Sequence, residues 1–446
     1  MRKDTLHLKA PGNWINDPNG FIYYRGEYHL FYQHFPYAPR WGTMHWGHAV
    51  SRDLVHWEHL GVALYPTKSY DQNGVFSGSA LERDGKLYLY YSAVHYLQQN
   101  EEDIHIPPND AFVTSQAMVI SDDGRTFDNM GAKRQIIPVL TDESIGDPKD
   151  TRDPKVWEKD GQYYMILGST FRKEQGKALF YRSRDALHWD YVNQYSSPEF
   201  RTMLECPDLV RLGEEFVLLG SPMGVTQPEI EYAHHAMWGL ADFDHQTCTL
   251  ALKGPMQFVD YGLDLYAPQT AVDQEGRRVL IAWMRMPQAA EDPGDGRGPW
   301  NGMMSLPRVL ELRQGKVCFV PHPNVEGLFR PVDGSWDQAV RNRPFRLKTT
   351  LRSGDVLDVC GYRIALEDGR IVTDRSQVFP HLPNYRTTAQ TPALDEDCCR
   401  LDVFVDDHLI EIFVDGGRYV VSHVVYGLKD RLEGPVEQLL TLREDG

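Results

Sequence analysis

The stretch FIYYRGEYHLFYQ at residues 21–33 has strand-forming residues on both sides of a turn that contains Gly26. Apolar and aromatic runs on either side of a glycine turn predict a β-hairpin. The same pattern recurs around four further turn glycines: Gly85, Gly161, Gly213 and Gly276. Successive glycines are 59, 76, 52 and 63 residues apart, which suits one four-stranded sheet plus its loops.

A second repeat lies later in three of these units: SRDLVHW at 51–57, SDDGRTF at 121–127 and SRDALHW at 183–189. Each is a polar turn followed by an aromatic residue. The hairpins alternate with a period of two residues, which argues against a helical solenoid. The sequence therefore predicts an all-β fold, with a five-bladed β-propeller over residues 1–320.

The remainder of the chain has a different pattern. PHPNVEGLFRP at 321–331 is interpreted as a linker, and AEDPGDGRGPW at 290–300 as a loop. Alternating strands such as LDVFVDDHLIEIFVDGGRYVVSHVVY at 401–426 then predict a β-sandwich over residues 332–446. A length of 446 residues also favours two domains, since single cores stop growing near roughly 250–300 residues.

The net charge, the N-terminal sequence and the cysteines limit the binding partners and the cellular compartment that can be expected. With 46 basic and 63 acidic residues the net charge is −17, which opposes binding to nucleic acid or an anionic membrane. The N-terminus has basic residues but no apolar signal core, so a cytoplasmic location is expected. The six cysteines form no CxxC pair, which predicts free, mostly buried thiols. Sheet edges of the sandwich would permit a homo-oligomer.

Four of the hairpins have a polar residue at nearly the same distance before the turn glycine. Asp17 lies nine residues before it, and Ser77, Asp153 and Glu205 lie eight residues before theirs. An Asp-Pro taken singly is usually only a turn former, but the shared register favours function. If these strands are the innermost of their blades, three carboxylates meet at one mouth of the central channel.

Crowded carboxylates raise one another's pKa and are usually tolerated only where they bind metal or perform acid–base chemistry. No His or Cys spacing reinforces a metal site, so neither a metal nor a cofactor is predicted. Chemistry on a neutral, hydroxyl-rich substrate is favoured, and a pair of carboxyl groups is what glycoside hydrolysis requires.

Aromatic residues near these motifs could line a sugar site or belong to the core: Trp14, Trp41, Trp46, Phe76 and Trp283.

The motifs WINDPNG (14–20), FSGS (76–79), RDP (152–154) and EC (205–206), in this order, resemble those of glycoside hydrolase family 32, the β-fructofuranosidases or invertases. Residues 28–67 resemble bacterial sucrose-6-phosphate hydrolases in particular. The resemblance implies Asp17 as nucleophile, Glu205 as general acid/base and Asp153 as the residue that holds fructose hydroxyls and stabilises the transition state. It implies further substrate contacts at Asn16, Gln33, Trp41, Phe76, Ser77, Arg152, Asp264, Tyr266 and Trp283. Residues 97–115 and 290–300 depart from the family pattern.

The expected activity is retaining hydrolysis of terminal β-D-fructofuranosyl units from sucrose, sucrose-6-phosphate or short fructo-oligosaccharides. A retaining mechanism predicts the Asp17 and Glu205 carboxyls ~5–5.5 Å apart. Arg152, beside Asp153, is expected to help keep Asp153 ionised. Arg40, His45 and His48 are candidates for contacting a phosphate. Alternatives are a fructosyltransferase, an inverting propeller glycosidase acting on arabinan or xylan side chains, and a non-catalytic fructoside-binding propeller.

Overall fold

The computed structural model describes residues 3–226, 232–262, 264–333 and 335–443. The chain forms two compact units. The first comprises residues 1–225, 236–257 and 266–305, and the second comprises residues 226–235, 258–265 and 306–446.

Strands dominate the chain up to residue 305. In chain order they are Lys3–Thr5 (β1), Asn13–Tyr24 (β2), Glu27–Phe35 (β3), His45–Ser51 (β4), His56–Leu64 (β5), Gly74–Arg83 (β6), Lys86–Tyr96 (β7), Phe112–Ser121 (β8), Arg134–Ile137 (β9), Arg152–Lys159 (β10), Gln162–Phe171 (β11), Gln175–Ser183 (β12), Asp190–Ser196 (β13), Leu204–Leu212 (β14), Glu215–Pro222 (β15), Met237–Asp244 (β16), Thr249–Leu252 (β17), Gln257–Phe258 (β18), Leu265–Val272 (β19), Arg278–Met284 (β20), Trp300–Asn301 (β21) and Met303–Met304 (β22). Two 3₁₀ turns, Pro108–Asp110 and Pro198–Phe200, lie between them.

All five predicted hairpins form: β2–β3, β6–β7, β10–β11, β14–β15 and β19–β20. Their turn glycines all have a positive φ, between 63° and 87°, a conformation that glycine adopts without the clash a Cβ would cause. The first four hairpins each continue into an antiparallel sheet, in the orders β2-β3-β4-β5, β6-β7-β8-β9, β10-β11-β12-β13 and β14-β15-β16-β17. The all-β prediction is therefore confirmed.

The second sequence repeat forms the turn between the third and fourth strands of the first three sheets. The Ser51 Oγ accepts a hydrogen bond from the Leu54 N–H, and the Asp53 carboxylate accepts from the N–H groups of Val55 and His56. The SDDGRTF and SRDALHW turns repeat this arrangement. Each turn satisfies its own backbone donors locally, which explains why the motif recurs.

Apolar side chains pack between successive sheets of the first unit. One cluster includes Phe31, Trp46 and Tyr91 from the first two sheets, and another includes Tyr90, Met165 and Leu179 from the second and third. Strand β3 is buried at eight of its nine positions, as expected for a strand covered on both faces. This stacking places the first strands of the sheets, β2, β6, β10 and β14, next to one another in that order, with β20 beside β2.

The second unit contains an antiparallel pair formed by its first two strands, two further sheets and two short helices. Its strands are Arg308–Arg313 (β23), Lys316–Pro321 (β24), Phe329–Pro331 (β25), Phe345–Arg352 (β26), Val356–Val359 (β27), Tyr362–Glu367 (β28), Arg370–Asp374 (β29), Thr388–Gln390 (β30), Cys398–Val405 (β31), Leu409–Val414 (β32), Tyr419–Val424 (β33), Leu432–Glu433 (β34) and Gln438–Leu442 (β35). The two helices are Pro323–Gly327 (α1) and Trp336–Arg341 (α2). A 3₁₀ turn spans Ser376–Val378.

The two sheets of this unit have the orders β25-β35-β26-β31-β32-β33 and β30-β29-β28-β27-β34, and they share one apolar core. Residues 321–331, interpreted from the sequence as a linker, contain α1 and β25, and β25 pairs with β35. In the described part of the chain, no helix has the length and hydropathy needed to cross a membrane.

Candidate active site

A cavity of about 460 Å³ opens in the first unit where β2, β6, β10 and β14 begin. Eleven of the twelve residues predicted for the site line it: Asn16, Asp17, Gln33, Trp41, Phe76, Ser77, Arg152, Asp153, Glu205, Tyr266 and Trp283. The shared register before the turn glycines therefore does bring the three acids into one cavity.

Irregular strand pairing, of the β-bulge type, directs four polar side chains into the cavity: Asp17, Ser77, Asp153 and Glu205. The pairing register shifts between Ile15 and Pro18 in β2, between Phe76 and Gly78 in β6, between Arg152 and Lys155 in β10, and between Glu205 and Asp208 in β14. Bulges redirect side chains and tolerate proline, which cannot donate a ladder hydrogen bond. The prolines of the NDP, RDP and ECP segments thus mark the places where the strands turn their acids into the cavity.

Asp17 is held by two donors. The Asn16 Nδ2 donates to Asp17 Oδ1 at 3.1 Å, and the Ser77 hydroxyl donates to Asp17 Oδ2 at 2.6 Å. Burial raises the pKa of Asp17, the charge of Glu205 raises it further, and the two hydrogen bonds oppose the rise. Both carboxylate oxygens are fixed in position, which suits a group that must attack along one line.

Glu205 has a different environment. The Arg152 Nη2 and Nε donate to Glu205 Oε1 at 2.7 and 3.2 Å, and the Tyr266 hydroxyl donates to Oε2. The Arg152 guanidinium also pairs with Asp150 at 2.8 Å. A cation and a phenol therefore fix the Glu205 carboxyl in place and can stabilise the carboxylate that a proton transfer would leave.

Asp153 lines the same cavity as the other two acids and is buried, with a positive φ of 66°. Its Oδ2 accepts the Cys206 N–H at 2.9 Å and is 3.6 Å from the Cys206 thiol, which is also 3.6 Å from Asp17 Oδ2. Burial, with the charges of Glu205 and Asp17, raises the pKa of Asp153 to about 7 despite the opposing charge of Arg152. The charge of Arg152 favours the ionised form of Asp153, as expected, but burial and the neighbouring acids outweigh it. The Arg152 guanidinium hydrogen-bonds Glu205 and Asp150.

Of the aromatic residues singled out in the sequence, some pack in the core and others line the cavity. Trp46 is fully buried and donates through Nε1 to the Phe76 carbonyl, so it packs the core behind the cavity. Trp41 meets Phe76 edge to face at 6.0 Å between ring centroids. Trp283 contacts Trp14 at 5.7 Å, and its Nε1 has no hydrogen-bond partner among the described residues. A buried donor without a partner beside a cavity is available to a ligand hydroxyl.

Asp264, the twelfth predicted residue, is not among those lining the cavity. It belongs to the second unit, where its carboxylate is buried, pairs with Arg375 and accepts the Val424 N–H at 2.9 Å. These contacts give it a local structural role, and its contact with substrate stays a prediction.

The phosphate candidates do not line the cavity either. Arg40 pairs with Asp103 at 2.8 Å, while His45 and His48 are buried and their pKa values are lowered by that burial. Two basic residues that sequence reasoning missed, Lys149 and Lys173, do line it. They lie in loops with no motif of their own, so only the fold brings them to the cavity.

Residues 97–115, which depart from the family pattern, contribute Asp110 and Phe112 to the cavity wall. Asp110 forms an ion pair with Lys149, and the Lys149 ammonium lies 5.0 Å from the Phe112 ring centroid. Part of the cavity wall is thus built from this segment.

Comparison with known proteins gives a consistent result. Residues 7–323 match the family model "Glycosyl hydrolases family 32 N-terminal domain", and residues 359–434 match "Glycosyl hydrolases family 32 C terminal". The chain is 34% identical over 450 residues to a raffinose invertase of Escherichia coli, covering 95% of this chain and 90% of that protein. It is 31% identical over 449 residues to a sucrose-6-phosphate hydrolase of Bacillus subtilis, covering 94% and 88%.

Among solved structures, a sucrose-6-phosphate hydrolase from Lactobacillus gasseri superposes with a TM-score of 0.82 at 26% identity, covering 99% of this chain and 93% of that one. A Bombyx mori GH32 β-fructofuranosidase superposes with a TM-score of 0.75 at 27% identity, covering 99% and 92%.

Proposed function

The chain belongs to glycosyl hydrolase family 32, and we propose that it is a retaining β-fructofuranosidase that acts on sucrose, sucrose-6-phosphate and short fructo-oligosaccharides. The observation that carries this proposal is the pair of acids in one cavity with unlike partners. Asp17 is fixed by neutral donors, whereas Glu205 is paired with a cation and a phenol.

In the first step, Asp17 Oδ attacks the anomeric carbon of fructose while Glu205 protonates the departing oxygen. The bond to the leaving sugar breaks as the bond to Asp17 forms, and a fructosyl-enzyme results. Arg152 and Tyr266 stabilise the Glu205 carboxylate that this step leaves behind.

In the second step, Glu205 takes a proton from water, and the resulting hydroxide attacks the same carbon and displaces Asp17. Two displacements return the original configuration at the anomeric carbon. Asp153 accepts hydrogen bonds from fructose hydroxyls, and its charge stabilises the positive charge that builds on the ring.

The apolar and donor groups around the acids suit one fructosyl unit. Trp283 Nε1 is a free donor in the described structure, and Asn16 and Gln33 line the same wall. Lys149 and Lys173 are the cations available to a phosphate on the leaving sugar. Lys149 is paired with Asp110, and both lysines supply positive charge only locally, in a cavity that also holds the three acids.

The test is a comparison of kcat/KM for sucrose, sucrose-6-phosphate, a short fructo-oligosaccharide and long inulin. We expect the first two to be good substrates, the third slow and inulin nearly inert. Long inulin as the best substrate would overturn the proposal, and indifference to the phosphate would reduce it to a plain invertase. Fructose released with inverted configuration would exclude the covalent intermediate. Product analysis at high sucrose separates hydrolysis from fructosyl transfer.

The fold proposal that accompanies this function is a five-bladed β-propeller over residues 1–320, a linker at 321–331 and a β-sandwich at 332–446. Five glycine hairpins in the first 320 residues support the five blades. The ranges of the two family matches, 7–323 and 359–434, support the division.

We also place the protein in the cytoplasm, because a phosphorylated disaccharide is charged and is cleaved where an importer delivers it. Cell fractionation tests the location, and light scattering of the purified protein tests the predicted self-association through sheet edges.

A further inference from the structure

A second cavity, of about 410 Å³, lies in the first unit further along the same strands. In β10, Asp153 faces the catalytic cavity and Lys155 the second; in β14, Glu205 faces the first and Asp208 the second. Between the two cavities, residues such as Pro154, Pro207 and Pro268 leave a space of only about 10 Å³. The two cavities are therefore separate.

The second cavity has a charged floor. Asp208 Oδ2 accepts three hydrogen bonds, from the Thr270 N–H at 2.9 Å, the Thr270 hydroxyl at 2.8 Å and the Lys155 ammonium at 3.0 Å. The Lys155 ammonium also donates to the Thr270 carbonyl at 2.7 Å. The other carboxylate oxygen, Asp208 Oδ1, is buried and has no partner among the described residues.

Arg278 lines the same floor, and few of its hydrogen-bond donors have a partner among the described residues. Its only hydrogen bond within the described chain runs from Nη1 to the Thr270 hydroxyl at 3.5 Å, and its buried Nε has none. A guanidinium carries five N–H donors, and leaving them unpaired in a buried position is costly. Two cations, Lys155 and Arg278, share a single carboxylate, so the floor carries an excess positive charge.

The walls and rim add two features. Trp157, Phe216 and His245 line the cavity, and Trp157 is stacked on Tyr164 with centroids 5.6 Å apart, which gives a rigid aromatic wall of the kind that packs against a sugar ring. At the rim, Lys159 pairs with Asp160 and Arg211 with Glu214. Glu158, which is exposed, also lines the cavity, so the rim carries no excess of cations and the positive charge is confined to the floor.

We propose that this cavity binds a small, hydroxyl-rich anion of the sugar-phosphate class. Arg278 and Lys155 hold the phosphate, a ligand hydroxyl donates to Asp208 Oδ1, and the ring packs against Trp157. The site is apart from the three acids, so it does not depend on which sugar the catalytic cavity cleaves.

The experiment is a calorimetric titration with glucose 6-phosphate, with glucose and inorganic phosphate as separate arms. Arg278→Gln keeps hydrogen-bonding capacity but removes the charge, and we expect it to weaken glucose 6-phosphate binding at least ~10-fold. Glucose 6-phosphate is also the leaving group of sucrose-6-phosphate, so a second, catalytic-cavity binding event is expected in the same titration. The matched control is Lys173→Gln, which removes a cation from the catalytic cavity and should weaken only that event, leaving the Arg278-dependent one unchanged. Glucose should not bind, and inorganic phosphate should bind more weakly than the sugar phosphate.

Hydrogen–deuterium exchange on the wild-type protein tests the same site without a variant, which matters where Arg278→Gln does not fold. Glucose 6-phosphate should protect residues 155–159 and 270–278. Protection confined to residues 149–153 and 202–205, or binding lost in Lys173→Gln and retained in Arg278→Gln, would overturn the proposal and assign the ligand to the catalytic cavity. Equal affinity for phosphate and sugar phosphate would overturn the sugar assignment.

Discussion

Replacing Asp153 by asparagine is expected to stabilise the folded protein at pH 8 while removing most of its activity. The pKa of Asp153 rises from 3.8 to about 7 in the folded state, chiefly through burial. The folded protein therefore binds a proton there that the unfolded chain does not, between those two pH values. Stability contributed by this group is present at low pH and is lost as the pH rises through that window.

The size of the expected stability change follows from the pKa shift of Asp153. One pKa unit corresponds to ~1.36 kcal/mol. Asp153 therefore costs the fold ~4 kcal/mol at pH 8, where it is ionised in the folded protein, and ~2 kcal/mol at pH 5, where folding must add a proton to it. Asparagine carries no charge, and its carbonyl oxygen can still accept the Cys206 N–H. Asp153→Asn should thus raise the free energy of unfolding by amounts of that order, with the larger gain at pH 8.

Urea unfolding of both proteins at pH 5 and pH 8 measures the effect, and kcat/KM for sucrose should fall at least ~100-fold because transition-state charge stabilisation is lost. Asp110→Asn is the matched control, since this carboxylate is on the wall of the same cavity with its side chain 70% exposed. It should change stability by less than ~0.5 kcal/mol at either pH. An Asp153→Asn protein no more stable than wild type at pH 8, or stabilised equally at both pH values, would refute the argument.

Three further substitutions address the other roles. Asp17→Ala should abolish sucrose hydrolysis with little change in melting temperature, and an active variant would end its assignment as nucleophile. Glu205→Ala should lose most activity on sucrose but less on a fructoside with an acidic leaving group, which departs without a proton; equal losses would point to another role. Trp283→Phe keeps the ring and removes the free Nε1 donor, so KM for sucrose should rise ~10-fold with kcat less affected; an unchanged KM would show that the indole does not bind substrate.

Sequence reasoning located the acids because their position depends on local pattern. A glycine turn fixes the end of each hairpin, and in four of the five a polar residue eight or nine positions earlier reaches the same level once the sheets stack. The bulges that aim these residues are also marked locally, by the proline that follows Asp17, Asp153 and Cys206. Trp46 shows the limit of such reasoning, since only packing decides that it belongs to the core rather than to the cavity.

The sequence by itself determined the all-β class, the five hairpins, the family and the three acids, because period-two alternation, glycine turns and short motifs are properties of neighbouring residues. Only the tertiary structure decided that Arg152 hydrogen-bonds Glu205 and that burial outweighs its charge at Asp153. It alone decided that Lys149 and Lys173 line the catalytic cavity, and that the buried Nε of Arg278 has no partner among the described residues of a second cavity. These features depend on groups far apart in the chain. Their charges act through space and burial sets their strength, and neither distance nor burial is defined until the sheets are packed.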